Sequence, residues 1–411
     1  MKFHIPAARL IASVTVVSSL VAAPVAAQEN PQQRAIAAVR KALEQHPGNA
    51  TLYYYLAVYQ ARAKDKAGAL ESLGRVLELG DGFLPPRDSG FENLEQDADF
   101  LALRAALDKK QRKIADAPVV FRIADTTFIP EGIAYDAPSK SFFVGSIYQK
   151  RIVRIGADGR MTPFSQEADG LQHVLGIAID QPRRLLYAIS TSAMTAEGRK
   201  QAFNAVVRYD LNTGKRNGEY RLPEARQLND VTVAPNGDVY ASDSRSGAIW
   251  RAFVDNEAKA AFVPAGLLRG TNGIAVSDDG KTLYAGHSMG VARIDIATGG
   301  VDDMPSPPQA NVAAIDGLYY HRGELLGVQN GTHPGRVIRM RLASNGTAID
   351  SVETLQSHHH PAFDEPTTGA VADDGFYVLA TTQVARFNAR GELDDAATLK
   401  QPAVVRVPLT K

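Results

Sequence analysis

Cysteine is absent from this 411-residue sequence, and tryptophan occurs only once. Without cysteine the chain has no disulfide, no thiolate metal site and no cysteine nucleophile. An excess of positive charge is also missing, because 45 Lys and Arg residues are balanced by 45 Asp and Glu residues. Nucleic-acid binders normally present a basic face, so nucleic acid is not an expected partner. The apolar fraction of 45% is typical of a soluble globular protein with a large core.

Long apolar runs are missing after the first 27 residues, and those residues read as a secretory signal peptide. Lys2 and Arg9 give a basic start, residues 10–23 are apolar and small, and residues 25–27 suit a signal peptidase. The alternative is a membrane anchor, but the stretch is interrupted by serines and is shorter than the roughly 20 apolar residues of a span. We therefore expect cleavage after Ala27 and an exported protein, periplasmic or extracellular, without a membrane span.

Residues 28–117 show the apolar spacing of α-helices. The stretch 49–80 resembles a single degenerate tetratricopeptide repeat (TPR), with Asn49 as the predicted helix N-cap. Four small or apolar residues occupy its packing positions: Leu56, Ala57, Ala69 and Leu73. One such repeat cannot bury its apolar face alone, so residues 91–110 are expected to pack against it. This small all-α domain is either a docking module for a protein partner or an accessory domain that covers the rest of the protein.

Residues 118–411 contain six copies of one short pattern. Each copy has a key residue, an apolar strand, a turn of Asp, Asn or Gly, and a second strand. The copies read PEGIAYDAPSKSFFVGS, VLGIAIDQPRRLLYAIS, LNDVTVAPNGDVYASDS, TNGIAVSDDGKTLYAGH, IDGLYYHRGELLGVQNG and TTGAVADDGFYVLATTQ. The key residues are Glu131, Leu175, Asn229, Asn272, Asp316 and Thr367, which lie 43 to 54 residues apart. This period predicts a mainly-β, six-bladed propeller, with residues 119–128 pairing with residues 403–409 to close the ring.

The key residues are expected to form a ring at one mouth of the propeller channel, because the innermost strand of each blade lines that channel. Four of the six carry carboxylate or amide oxygens, and two of these, Glu131 and Asp316, are carboxylates. Two carboxylates in one small volume repel each other unless a cation lies between them, and oxygen donors suit Ca²⁺, Mg²⁺ or Mn²⁺. Asn and Asp are also common turn residues. However, the ordinary turn residues of these units, such as Asn236-Gly237, come later in each copy.

Four strings in this order, PEG, LND, TNG and IDG, resemble the family of senescence marker protein 30, gluconolactonase and luciferin-regenerating enzyme, which are calcium-dependent lactonases. The resemblance covers four of the six copies, roughly residues 130–337. It implies that Glu131, Asn272 and Asp316 hold a metal ion. It also implies that Asn229 faces the substrate, the metal or its bound water.

The sequence departs from the family pattern around the substrate. Gln227 stands where gluconolactonase-like members often have an arginine, and Leu175 stands where paraoxonase-like members have a histidine. The residue after Asp316 is glycine, where paraoxonase-like members have asparagine. We predict that Gln227, Thr367 and His173 contact the substrate. His173 lies two residues before Leu175, and strand alternation would direct both side chains to the same mouth.

The implied reaction is metal-assisted hydrolysis of a lactone or ester. Asp316 would serve as both ligand and general base, and Asn229 would orient the water or the substrate. One divalent ion is expected, with Ca²⁺ as the first candidate and Mn²⁺, Mg²⁺ and Zn²⁺ as others. A propeller lacks the strand–turn–helix elbow of a serine hydrolase. The alternative is a non-catalytic propeller that binds a ligand or a protein, with the helical domain as its docking arm.

Three consecutive histidines, residues 358–360, stand outside this ring. A histidine cluster can bind a transition metal. Adjacent histidines do not readily face one ion, however, and the following Pro361 indicates a loop. The other interpretation places this segment at the rim of the channel mouth.

Overall fold

The computed structural model describes residues 30–86, 90–253, 261–372 and 374–409. The predicted signal peptide lies outside the described residues. In these ranges no helix combines the length and the apolar character that a membrane crossing needs. The described chain forms a group of helices followed by six β-sheets, which is the predicted mainly-β propeller behind a small helical region.

Helices occupy the N-terminal part of the described chain. They are α1 (Pro31–Gln45), α2 (Ala50–Arg62), α3 (Lys66–Leu79) and α4 (Ala98–Lys110), with a short 3₁₀ turn at Glu92–Leu94. Each α-helix begins after an Asn or Asp whose side-chain oxygen accepts a backbone N–H of the first turn. The predicted N-cap Asn49 is confirmed, since its Oδ1 lies 3.1 Å from the Leu52 nitrogen.

An aromatic core holds these helices together as one unit. Tyr54 of α2 packs against Phe83 at 5.6 Å between ring centroids, and Phe91 stacks on Phe100 of α4 at 5.4 Å. All four rings are buried. Each such side chain contributes about 1.5–3 kcal/mol when it is removed from water. Residues 31–110 therefore have a core of their own, and the similarity of α2 and α3 to a TPR stays a prediction.

Six sheets follow, and each forms one blade whose strands run from the channel outward. Blade 1 contains β2 (Pro130–Asp136), β3 (Ser141–Ser146), β4 (Arg151–Ile155) and β5 (Met161–Pro163), and blade 2 contains β6 (His173–Asp180), β7 (Leu185–Thr191), β8 (Asn204–Asp210) and β9 (Arg216–Arg221). Blade 3 contains β10 (Leu228–Val233), β11 (Val239–Asp243) and β12 (Ala248–Ala252), and blade 4 contains β13 (Ile274–Val276), β14 (Thr282–His287), β15 (Gly290–Asp295) and β16 (Val301–Asp303). Blade 5 contains β17 (Ile315–His321), β18 (Glu324–Gln329), β19 (Arg336–Leu342) and β20 (Ile349–Gln356), and blade 6 contains β21 (Gly369–Ala372), β22 (Gly375–Leu379), β23 (Ala403–Val407) and the first strand of the chain, β1 (Val119–Arg122). A short helix, α5 (Ala196–Gln201), and 3₁₀ turns at Glu167–Asp169, Val384–Arg386 and Ala396–Thr398 lie between strands.

The ring of blades is closed by strands from both ends of the propeller. Strand β1 pairs antiparallel with β23, so that Val119 lies opposite Val405 and Arg122 lies opposite Ala403. The predicted pairing of residues 119–128 with residues 403–409 is confirmed for residues 119–122 with residues 403–405. Strand β23 is thereby paired on both sides, with β22 and with β1, so it is not left as an open edge at which unwanted strands could pair.

The innermost strands lose regular pairing at the key residues. The register shifts between Pro130 and Ile133, between Val174 and Ile177, between Leu228 and Val231, and between Ile315 and Leu318. Such bulges break the alternation of side chains along a strand and redirect them. In four blades, therefore, the key residue lies in an irregular stretch at the channel.

Glycine follows four of the key residues because adjacent blades touch through their backbones there. A β-carbon on Gly132 would lie 2.0 Å from the carbonyl oxygen of Leu175. A β-carbon on Gly273 would lie 2.4 Å from the carbonyl oxygen of Asp316. No larger residue fits without moving the neighbouring strand. The recurrent glycine of the repeat thus sets how closely the inner strands, and with them the key residues, surround the channel.

The helical unit is attached to blades 4 and 5 through backbone hydrogen bonds. The Ala50 nitrogen donates to the Pro308 oxygen at 3.1 Å, and the Leu84 nitrogen donates to the Thr332 oxygen at 3.2 Å. Asp81 forms a parallel β-bridge with Ala310. These contacts place part of the helical unit beside the channel mouth.

Candidate metal centre

The six key residues come together around one cavity of about 910 Å³. Its lining includes all of them: Glu131, Leu175, Asn229, Asn272, Asp316 and Thr367. Residues as far apart in sequence as 131 and 367 therefore face the same space, because each blade contributes the start of its inner strand. The arrangement concentrates two carboxylates and two amides at the mouth of the channel.

Two asparagine side chains hold the carboxylate of Asp316. The Asn272 Nδ2 donates to Asp316 Oδ1 at 2.6 Å, and the Asn330 Nδ2 donates to Asp316 Oδ2 at 2.5 Å. Asn330 is itself fixed, because its Nδ2 also donates to the Pro366 oxygen at 3.0 Å. The Asn272 amide uses its NH₂ group in this contact, which leaves its carbonyl oxygen available as a ligand.

Glu131 has no such donors. It is 5% exposed, and its Oε2 is buried without a hydrogen-bond partner. Burial and the nearby charge of Asp316 raise the pKa of Glu131 well above its usual value, although the side chain of Thr367 lowers that pKa in part. A buried carboxylate oxygen without a partner is costly, so this atom is a candidate ligand for a cation.

Burial also raises the pKa of Asp316, to about 6, against the effect of its two asparagine donors. A third buried acid, Asp230, has its pKa raised to about 7 by burial, and Asp316 adds to that increase. Among the described residues neither Glu131 nor Asp316 forms an ion pair with Lys or Arg. The donor set of two carboxylates and two amide oxygens therefore fits a hard divalent cation.

Asn229 is oriented by a short chain of hydrogen bonds across two blades. Its Nδ2 donates to Ser244 Oγ at 2.9 Å, and the Ser244 hydroxyl donates to the Thr271 oxygen at 2.8 Å. The carbonyl oxygen of the Asn229 amide is left for a ligand. The side chain is thus positioned without a contact to Asp316.

The three predicted substrate residues differ in their placement. Gln227 and Thr367 both line the cavity. His173 is not among its lining residues: the ring is buried, its Nδ1 lies 2.8 Å from the Ile147 oxygen, and it packs against Phe387 at 5.2 Å. The structure therefore does not bring His173 to the mouth, because an aromatic side chain from blade 6 covers it.

Asn330 is a site residue that the sequence reasoning missed. Asn330 directly follows Gln329, the last residue of β18, and Gln329 pairs with Ile315 of β17. Ser244 occupies the same place in blade 3, directly after Asp243. The ends of the second strands thus supply an outer layer that supports the key residues. Residue 330 precedes a glycine and reads as an ordinary turn, so only the strand register would have indicated its role.

The helical unit and the last loops complete the rim. Pro86 and Arg104 of the helical unit line the cavity together with His358 and Arg386 of the propeller. The rim interpretation of the histidine segment therefore agrees with the position of His358. The helical unit therefore covers part of the mouth, which agrees with an accessory domain that covers the rest of the protein. Its use as a docking module for a protein partner stays a prediction.

The sequence contains the G-x-S-x-G pattern of serine hydrolases, but the structure does not form a serine-hydrolase site there. Residues 286–290 read G-H-S-M-G, yet they form the hairpin between β14 and β15 rather than a strand-to-helix elbow. The adjacent His287 already accepts the Met289 N–H at its Nδ1, at 3.4 Å. No hydrogen bond joins the Ser288 hydroxyl to this histidine in the described structure. Ser288 therefore lacks both the elbow and the histidine contact that characterise the nucleophile of a serine hydrolase.

Comparison with known proteins gives a likeness of fold alone. No protein-family model and no curated protein matches the chain. A putative glucose dehydrogenase from Thermus thermophilus is 16% identical over 70% of this chain and 98% of that chain, with a TM-score of 0.50. A gluconolactonase from Xanthomonas campestris is 15% identical over 72% and 97% of the two chains, with a TM-score of 0.46. Regucalcin from Agrobacterium tumefaciens, a calcium-binding protein, is 16% identical over 72% and 96%, with a TM-score of 0.47.

Proposed function

We propose that the protein is a metal-dependent hydrolase of lactones or esters, with one divalent ion, Ca²⁺ as the first candidate, at the channel mouth. The observation that carries this proposal is the convergence of two buried carboxylates, Glu131 and Asp316, neither of which forms an ion pair with a Lys or Arg of the described ranges. Asn272 and Asn229 would complete the ligand set. The sequence resemblance to calcium-dependent lactonases, which involves these four positions, supports the same conclusion.

A bound divalent ion would supply Lewis acidity toward a carbonyl oxygen and a lower pKa for a water molecule. Asp316 would accept a proton at a carboxylate oxygen during the reaction and so act as the general base. Asn272 and Asn330 hold the plane of that carboxylate. Asn229 would orient the attacking water or the substrate through its free amide oxygen.

The cavity suits a small molecule rather than a polymer. Its volume of about 910 Å³ lies within the usual range for small-ligand sites, up to roughly 1,000 Å³. Leu175, Ile147 and Met194 give it an apolar wall beside the polar ring. The apolar wall would pack against the carbon skeleton of the substrate, and Gln227 and Thr367 would contact its polar groups.

Turnover of a panel of lactones and aryl esters tests this function. We expect hydrolysis that disappears on chelation with EDTA and returns with added Ca²⁺, because the carboxylates alone do not polarise a carbonyl. Release of acid, followed with a pH indicator, measures the rate for any member of the panel. Tight binding of a lactone without turnover at any metal concentration would instead favour the non-catalytic propeller.

Metal affinity should fall as the pH drops through about 6, since protons and the cation compete for Asp316 and Glu131. Both pKa values are raised in the folded, metal-free protein, so that state binds more protons than the unfolded chain above about pH 4. Its free energy of unfolding therefore declines as the pH rises from about 4 to about 6, and saturating Ca²⁺ removes the decline. Calorimetric Ca²⁺ titrations and thermal unfolding across this range would check both effects. An affinity independent of pH would contradict the assigned ligands.

A further inference from the structure

A second group of metal-ligating side chains lies where the helical unit meets the propeller. Asp108 belongs to the last turn of α4, and His358 and His359 follow β20. One ligand atom from each of the three residues lies within 4.8 Å of the others. We propose that Asp108, His358 and His359 form a binding site for a transition-metal ion such as Zn²⁺, distinct from the ring of oxygen donors.

The distances between these atoms are close to those of a coordinated ion. Asp108 Oδ1 lies 2.7 Å from His358 Nε2 and 3.8 Å from His359 Nε2. Bonds of about 2.0–2.1 Å in a tetrahedral zinc site separate neighbouring ligand atoms by about 3.4 Å. The two observed separations lie on either side of this value. Side-chain adjustments of about 0.7 Å or less would bring both distances from Asp108 to this value.

Ser357 orients one of the histidines in the manner of a metal ligand. The His359 Nδ1 lies 3.0 Å from the Ser357 hydroxyl, and that hydroxyl also lies 3.1 Å from the Ile114 carbonyl oxygen. When the Ile114 carbonyl accepts the hydroxyl proton, His359 donates its Nδ1 proton to Ser357. Its Nε2 then carries a lone pair near the Asp108 carboxylate. Metal-ligating histidines are commonly held in this way through their other ring nitrogen.

Two of the three consecutive histidines have their rings together beside Asp108. The rings of His358 and His359 lie 4.0 Å apart, and the Nδ1 of His358 is buried without a hydrogen-bond partner. The third histidine of the run is used differently, since the Nε2 of His360 lies 2.8 Å from the Ala117 oxygen. The objection that three consecutive histidines cannot face one ion is thus resolved: two lie at Asp108 and one packs inside.

The chemistry of the two sites differs enough to separate them by experiment. Two imidazoles and one carboxylate suit Zn²⁺ or Co²⁺, whereas the ring offers oxygen donors only and suits Ca²⁺. An ion at Asp108 would join α4 to the loop after β20. Since His358 also lines the large cavity, the bound ion would hold the helical unit at the rim of the channel mouth.

Zinc titration of the full chain, purified without a polyhistidine tag and saturated with Ca²⁺, tests the proposal. We expect one additional Zn²⁺ per chain by calorimetry, and a visible absorption band when Co²⁺ replaces it. Asp108→Asn and His359→Ala should each weaken Zn²⁺ binding at least about 100-fold, because losing a direct ligand exceeds the 10–100-fold effect of losing a supporting residue. Asp99→Asn is the matched control, since Asp99 lies on the same helix and is largely exposed.

Zn²⁺ should also raise the midpoint of thermal unfolding of the wild-type protein but not of either ligand variant, because only a site of the folded state is stabilised by its ion. Asp316→Asn should leave this zinc response intact, which separates the second site from the ring and from the proposed hydrolase function. Absence of Zn²⁺ binding to the calcium-saturated protein would overturn the proposal. Equal binding to the wild type and to both ligand variants would overturn it as well.

Discussion

Asp316→Asn is expected to reduce kcat/KM for lactone hydrolysis by at least about 10³, which corresponds to about 4 kcal/mol of transition-state stabilisation. The substitution removes one of the two carboxylates at the proposed metal site and the proposed general base together. It also places an NH₂ group where the structure needs an acceptor, since Asn272 and Asn330 each donate to one oxygen of Asp316. Steady-state rates with saturating Ca²⁺, together with Ca²⁺ affinity by calorimetry, would measure both losses.

Asp278→Asn is the matched control for this experiment. Asp278 is exposed in the turn between β13 and β14 of the same propeller, so its replacement removes an equal charge far from the mouth. We expect its activity and its Ca²⁺ affinity to stay at the wild-type level. Full metal-dependent activity in Asp316→Asn would show that the site has been assigned to the wrong residues.

Gly273→Ala is expected to lower the free energy of unfolding by about 3 kcal/mol or more, at the upper end of the effects of overpacking. The new β-carbon would lie 2.4 Å from the carbonyl oxygen of Asp316 and 2.4 Å from the nitrogen of Leu318. Backbone atoms cannot rotate away as a side chain does, so blades 4 and 5 would have to separate at the channel. Because Asp316 moves with its backbone, Ca²⁺ affinity should fall too. Chemical denaturation with and without Ca²⁺ measures both changes.

Gly74→Ala offers the opposite result as a control. Gly74 lies inside α3, and a β-carbon there would have no atom within 4 Å. Alanine favours a helix interior over glycine by roughly 0.5–1 kcal/mol, so this variant should be slightly more stable than the wild type. Equal stability of Gly273→Ala and the wild type would mean that the inner strands are not in tight contact.

The repeat was readable in the sequence because a propeller blade is built mainly from local pairing. Each strand pairs with the next one along the chain, so the alternating pattern and the turn recur once per blade. The closing strand was also predictable, because residues 119–122 precede the first copy and residues 403–407 follow the last one. The same regularity indicated that Glu131 and Asp316 would face one cavity.

The failures of the sequence reasoning involve contacts between distant segments. Strand alternation predicted that His173 faces the mouth, but Phe387 from the last blade covers its ring. Asn330 was not predicted at all, because its contact with Asp316 depends on the register of β17 and β18. The sequence left His358 open between a metal site and the rim, because its position depends on how α4 lies against the propeller.

The sequence by itself determined the number of blades, the closure of the ring and the placement of the six key residues at the channel. These follow from short-range strand pairing and from the glycine that recurs after the key residues. Only the tertiary structure decided which donors hold Asp316, that Glu131 keeps a buried oxygen without a partner, and that Asp108 meets His358. The physical reason is that these contacts join side chains from different blades or from the helical unit, and their geometry depends on how whole elements pack.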